Sequence, residues 1–293
     1  MLSKRSHLAN VMIVLFILIL TVSLSACGTR TTGSQEPAST LDPNPSTSSN
    51  DKTDLTASAH PTELTISAAV SLKDALEAFQ PTFEKEHHAK LHFNFGASGQ
   101  LMQQIEQGAP VDVFISAGSK QMNELQEKGL LFPDTRTDVV RNTLVLVVPK
   151  NASDQKNLTF DTLKNAKSLR LAMGEPKSVP AGMYAEEVLK HLALYDQLIA
   201  AQDIVFANDV RQVLAYVETG EVDAGLVYKT DAALSDKVII ADTAQEGWHQ
   251  PIVYPGAVIH DTKEEALSKA FLNALKEGEG KRILEQYGFT PAP

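Results

Sequence analysis

The chain has 293 residues, a formal net charge of −10 and a single cysteine, Cys27. That acidic balance, with no Lys/Arg run beyond the first few residues, argues against a nucleic-acid partner. One thiol excludes both a disulfide framework and a cysteine-built metal site.

At the N-terminus, Lys4 and Arg5 precede an unbroken apolar run over residues 11–20. The run is short for a membrane span and has the length of a signal-peptide core. Leu24-Ser25-Ala26-Cys27 follows and resembles a bacterial lipobox, which implies cleavage before Cys27 and a diacylglycerol on its thiol. Residues 1–26 are therefore expected to be a lipoprotein signal peptide. Residues 28–60 are rich in Ser, Thr, Pro, Asn and Asp and have almost no large apolar side chain. Such a stretch buries too little surface to offset the entropy of ordering, so disorder is expected. With the lipidated Cys27, residues 27–61 form a leash whose root-mean-square span is roughly 30 Å. The expected location is the extracytoplasmic face of a cell membrane, reached through the lipid anchor.

The folded part opens with an apolar strand carrying Leu64, Ile66, Ala68 and Ala69, which runs into Ser71. From there the period changes, and Leu72, Ala75, Leu76, Phe79 and Phe83 recur at helical spacing. Two roles fit Ser71. It is an N-cap with Asp74 completing a capping box, or it sits at an anion site made by the free N–H groups and dipole of the helix start. Residues 90–95 read as a second strand, with Leu91, Phe93 and Phe95 alternating against His92 and Asn94. Gly96-Ala97-Ser98-Gly99 ends it, and a helix with Leu101, Met102 and Ile105 follows. A third strand over 111–116 and a helix over 119–127, ending at Gly129, repeat the alternation. Strand–helix units of this length predict a mostly parallel sheet with right-handed crossovers.

An almost wholly apolar strand over 142–148 begins a second lobe. A short helix over 160–166 and a strand over 169–173 lead to a loop that Pro180 ends. The next helix carries Tyr184, Val188, Leu189 and Leu192 on one face. A strand over 204–206 is followed by Asn208-Asp209, which caps a helix with Val213, Leu214 and Val217 inward. A strand over 222–228 presents Tyr228 at its end. Residues 237–241 and 252–259 read as strands, and 263–287 as one or two helices. The expected fold is α/β with two lobes, 62–141 plus 229–293 and 142–228, whose crossings lie near Arg141 and Tyr228.

Helices thus start at strand ends after Ser71, Ser98, Pro180 and Asp209, where open α/β sheets place their ligand crevice. Two such crevices face to face would aim Ser71 and Ser98, the N–H groups of Ala181 and Val210, and the phenol of Tyr228 into one cleft. That set suits a small tetrahedral oxyanion held by neutral donors.

At these residues the chain resembles the molybdate-binding proteins of bacterial ABC importers. Ala68-Ala69-Val70-Ser71-Leu72 looks like the family's AAAS-L turn, with Val70 in place of an alanine. Phe95-Gly96-Ala97-Ser98-Gly99 is similar to its second serine loop, and the ten residues from Gly108 to its GAPADLFISA segment. Val179-Pro180-Ala181-Gly182-Met183-Tyr184-Ala185 matches VPAG-x-YA, Asp209-Val210-Arg211 its DVR turn, and Gly225-Leu226-Val227-Tyr228 its G-[IL]-VY strand end. The resemblance implies a type II solute-binding fold that closes over molybdate or tungstate. It implies that Ser71, Ser98, Ala181, Val210 and Tyr228 hold the anion, which is the only sense in which they bind a metal. It also implies a membrane permease with a cytoplasmic ATPase as partners, a monomeric carrier, and neither a cofactor nor an enzymatic reaction. One departure is that Ala97 and Gly99 flank Ser98 where some relatives carry further hydroxyls; small residues there would also let backbones approach closely.

A donor-only site favours an unprotonated dianion, since hydrogen phosphate carries a proton that needs an acceptor. Sulfate or phosphate is the alternative cargo. Other signals are weaker. His87, His88 and His92 lack a further ligand cluster nearby in sequence. Lys73 and Arg211 follow anion-site residues, and Arg211 would add long-range attraction or, as the alternative, touch the anion directly; Tyr216 with Tyr228 lacks the His and Glu of an iron site. Ser71 lies outside any Gly-x-Ser-x-Gly elbow, which argues against an esterase.

Overall fold

The computed structural model describes residues 60–152, 157–165 and 168–292. The expected signal peptide, Cys27 and nearly all of the leash lie outside the described residues. The first three strands are β1 (Thr62–Ala69), β2 (Ala89–Gly96) and β3 (Val113–Ile115). They alternate with α1 (Lys73–His87), α2 (Ser98–Glu106) and α3 (Ser119–Glu127). β1 pairs in parallel with β2 on one side and β3 on the other. Leu64, Ile66, Ala68 and Ala69 are all buried, as expected of a strand covered on both faces. The helical apolar positions of α1 turn inward as the spacing predicts, and Phe83 meets the Phe271 ring edge-on at 5.1 Å.

β4 (Thr137–Arg141) and β5 (Leu144–Pro149) carry the chain out of this sheet and into a second one. There follow α4 (Phe160–Leu163), β6 (Leu171–Gly174), α5 (Pro180–His191), α6 (Tyr195–Ala201), β7 (Ile204–Ala207), α7 (Val210–Thr219) and β8 (Ala224–Tyr228). After α8 (Lys229–Ala233) come β9 (Val238–Thr243), β10 (Val253–Val258), α9 (Glu265–Lys276), α10 (Gly278–Gln286) and β11 (Thr290–Pro291). The first sheet is ordered β11-β4-β10-β3-β1-β2 and the second β7-β6-β8-β5-β9. In each, three parallel strands form one side, β2-β1-β3 and β7-β6-β8, and antiparallel neighbours extend the other. This is the two-lobed α/β architecture that the resemblance implies.

Several details differ from the reading of the chain. Neither sheet is mostly parallel: the strands around the interlobe crossings, β10, β4 and β11 in one sheet and β5 and β9 in the other, pair antiparallel with their neighbours. β4 was not expected as a strand, because only Val139 and Val140 of its five residues are buried. More consequentially, the return crossing is not at Tyr228. β9 pairs antiparallel with β5, from Val145 opposite Thr243 to Pro149 opposite Val238, so residues 229–243 belong to the second lobe. The chain crosses back between Thr243 and Val253. The apolar run of β5 needs a neighbour on each edge, and β9 covers the one that β8 leaves open. The outgoing and returning segments lie side by side, with Asn142 N–H donating to Ile252 O at 3.1 Å. No helix among the described residues is long and apolar enough to cross a membrane.

Candidate ligand-binding site

The carboxyl ends of the parallel strands bring all five expected residues to one place. β1 ends in a 3-10 turn, Val70–Leu72, that carries Ser71. β2 delivers Ala97 and then Ser98 at the first position of α2. From the other lobe, β6 and its loop lead to Pro180-Ala181 at the start of α5, and Val210 begins α7 directly after β7 and its cap. Tyr228 is the last residue of β8. Ser71, Ser98, Ala181, Val210 and Tyr228 line a single cavity together with Ala69, Val70, Gly96, Ala97, Ala117, Val179 and Pro180. Each of the five is buried. The cavity offers about 10 Å³ to the centre of a water molecule, too little for a sugar or peptide.

No charged side chain lines it. Its polarity comes from hydroxyls and from first-turn N–H groups, which have no partner within their own helices. Ser98 Oγ accepts the Ala117 N–H at 3.0 Å, so its own proton is free for the cavity. Tyr228 lies against the Tyr254 ring, 5.7 Å between centroids, and its hydroxyl makes a long 3.4 Å contact to Ala117 O. Burial, and then the Tyr254 phenol beside it, push the Tyr228 hydroxyl well above its ordinary range. It stays a neutral donor.

Ser71 is not a helix cap. The turn it occupies has no side-chain cap bond, and its hydroxyl lies 2.9 Å from Tyr254 Oη. Asp74, its expected partner in a capping box, instead accepts from Arg211 Nη2 at 2.6 Å. Asp209 does cap its helix, accepting the Gln212 N–H at 2.9 Å, so its carboxylate faces away from the cavity. Arg211 does not reach the cavity either. Its guanidinium joins Asp74 of the first lobe to the fully buried Asp231 of the second. Lys73 stands at the surface, 3.9 Å from Glu77. Of the histidines, His87 stacks on Phe83 at 4.2 Å and His92 lies 3.5 Å from Glu63. No group of three or more His, Cys, Asp or Glu among the described residues is placed to hold a metal ion.

The lobes are closed on the cavity. Gly99 N–H, in the first lobe, donates to Ser178 O, in the second, at 2.9 Å. Three contributors escaped the sequence reading: Ala117, whose backbone meets both Ser98 and Tyr228, and the pair Asn142 and Tyr254. Ala117 had a signal, since it follows the third parallel strand just as Ser71 and Ser98 follow the first two. Asn142 and Tyr254 had none.

Residues 64–290 match the family model for bacterial extracellular solute-binding proteins. The chain belongs to that family. It is 47% identical over 228 residues to YvgL of Bacillus subtilis, provisionally named an ABC transporter substrate-binding lipoprotein, covering 78% of this chain and 86% of that one. It is 40% identical over 232 residues to the molybdate-binding protein ModA of Escherichia coli, covering 78% of this chain and 89% of that one. Among solved structures, it matches the substrate-binding domain of a provisionally named molybdenum ABC transporter from Clostridium difficile. That match has 43% identity and a TM-score of 0.63, with 79% of this chain and all of that chain covered. The Bacillus and Clostridium relatives are named as substrate-binding parts of ABC transporters, and the solute-binding protein described here is not an enzyme.

Proposed function

We propose that this solute-binding protein captures molybdate, and tungstate with it, outside the cytoplasm and delivers it to a membrane permease driven by a cytoplasmic ATPase. The observation that carries the reading is the small, uncharged cavity between the lobes, walled by Ser71, Ser98, Ala181, Val210 and Tyr228. Neutral donors avoid burying a counter-charge that would be unpaired whenever the ligand is away. They suit a dianion with no proton of its own, and they leave hydrogen phosphate without an acceptor. Sulfate is unprotonated too, but smaller, so closure would leave it poorly coordinated. The molybdate-binding name of a relative 40% identical over most of its length supports the same choice.

Calorimetric titration of the full-length protein in detergent tests this directly. Molybdate and tungstate should each bind one equivalent tightly, with sulfate weaker by orders of magnitude. Tight sulfate or phosphate binding would overturn the cargo and keep the site. Tyr228→Phe should weaken molybdate by about 0.5–3 kcal/mol, the loss of one donor to a charged ligand.

Cys27 supplies the membrane attachment in this reading, which the name of the Bacillus relative supports. Cells fed labelled fatty acid should incorporate it into the wild-type chain. A Cys27→Ser variant that still carried the label would rule the anchor out.

A further inference from the structure

We propose that Asn142 and Tyr254 are positioning residues that set the direction of the Ser71 hydroxyl, holding it as a donor into the cavity and thereby disfavouring anions that carry a proton. The inference rests on the reading that the cavity takes a tetrahedral oxyanion.

The argument follows from which atoms can only donate. Thr143 N–H is a donor, and it meets Asn142 Oδ1 at 2.9 Å. That contact orients the amide, because the reverse assignment would set two donors against each other. Asn142 Nδ2 therefore donates, to Thr230 Oγ1 at 2.8 Å and to Tyr254 Oη at 3.1 Å. Tyr254 is fully buried, and its hydroxyl lies 2.9 Å from Ser71 Oγ, with the Tyr228 phenol also beside it. Having accepted from Asn142, the phenol donates to Ser71. Ser71 Oγ then acts as acceptor on that side, and its own proton is left for the cavity it lines. The polarity runs one way, from the backbone at the interlobe crossing to the ligand.

The same serine with its proton turned back to Tyr254 would show the cavity a lone pair. It would repel an unprotonated dianion and accept from the hydroxyl of hydrogen phosphate. Selectivity at this corner thus depends on two side chains that do not line the cavity, separated in sequence by 112 residues.

Asn142→Asp tests the direction with almost no change of shape. One carboxylate oxygen still accepts the Thr143 N–H, while the other accepts where an amide donated. In that variant Tyr254 donates to the second carboxylate oxygen, and Ser71 donates to Tyr254. Titrations of full-length wild type, Asn142→Asp and Tyr254→Phe with molybdate and with phosphate at pH 7 give the readout. The molybdate-to-phosphate affinity ratio should fall about 10- to 100-fold in Asn142→Asp, one hydrogen bond to a charged group having reversed. It should fall less in Tyr254→Phe, where the serine rotor is released rather than reversed. A merely structural role would weaken both anions alike, the charge of the new carboxylate acting alone would lower the ratio in Asn142→Asp but not in Tyr254→Phe, and an unchanged ratio in Tyr254→Phe would overturn the proposal. If Asn142→Asp does not fold, the ratio in Tyr254→Phe decides alone. A wild-type protein that bound no oxyanion would overturn the cargo reading and this proposal with it.

Discussion

Replacing Arg211 by methionine should destabilise the folded protein by about 3–5 kcal/mol at pH 7.5, the usual cost of removing one partner from a buried ion pair. The guanidinium sits between two carboxylates of very different exposure. Asp231 is fully buried, and its Oδ2 has no hydrogen-bond partner among the described residues. Asp74 is 37% exposed and pairs from the opposite lobe, so its share is worth at most about 1 kcal/mol. The large effect therefore belongs to Asp231. Burial pushes that carboxyl up to about 6, with Arg211 pulling it down. A carboxyl raised in the fold binds its proton more readily there than in the unfolded chain. Its stabilising contribution is complete below about pH 4 and is lost as pH rises to about 6. Without Arg211 the carboxyl rises further and the loss continues to higher pH. Urea melts should show a large deficit for Arg211→Met at pH 7.5 that shrinks at pH 5.5, where both proteins hold the proton. Adding Asp231→Asn to the variant should recover most of the loss at pH 7.5. A deficit independent of pH would mean that lost packing of the arginine stem, rather than the stranded charge, is responsible.

Gly99→Ala should weaken ligand binding about 30- to 1,000-fold while leaving the stability of the ligand-free protein unchanged or slightly higher. A Cβ at Gly99 would lie 2.6 Å from Ser178 O and 2.8 Å from its Cα, both backbone atoms of the other lobe. Neither can rotate away, so the lobes would have to part at the point where Gly99 N–H meets Ser178 O. Overpacking of this kind costs about 1–3 kcal/mol, and the interlobe hydrogen bond adds about 1 kcal/mol. Within α2 itself alanine is the better helix former, so the open form has no reason to suffer. Titration with molybdate, a urea melt without ligand and small-angle scattering with and without it separate the two states. Unchanged affinity would show that closure does not need this approach. The glycine beside Ser98 thus has a role as a point of contact between lobes.

Several features were legible because their causes are local. The change of period after Ala69, the small residues around Ser98, Pro180 at a helix start and the Asp209 cap all lie within a few residues of what they specify. Locating Ala181 and Val210 needed no side-chain chemistry, only the rule that parallel strands end where helices begin. By contrast, β9 read correctly as a strand and was given to the wrong lobe. Which sheet a strand joins is settled by its partner, and the partner of Val238–Thr243 is almost a hundred residues earlier in the chain.

The sequence by itself determined the α/β class, the elements that end at the cavity and five of the residues that line it, since short-range patterning of apolar and capping residues encodes each of them. Only the tertiary structure decided where the lobes part, what holds Arg211 and which groups meet the Ser71 hydroxyl. Those depend on pairs such as Asp74 with Arg211 and Ser71 with Tyr254, 137 and 183 residues apart. No local period records such pairs, because folding brings them together through the packing of both sheets and not through anything adjacent to them in the chain.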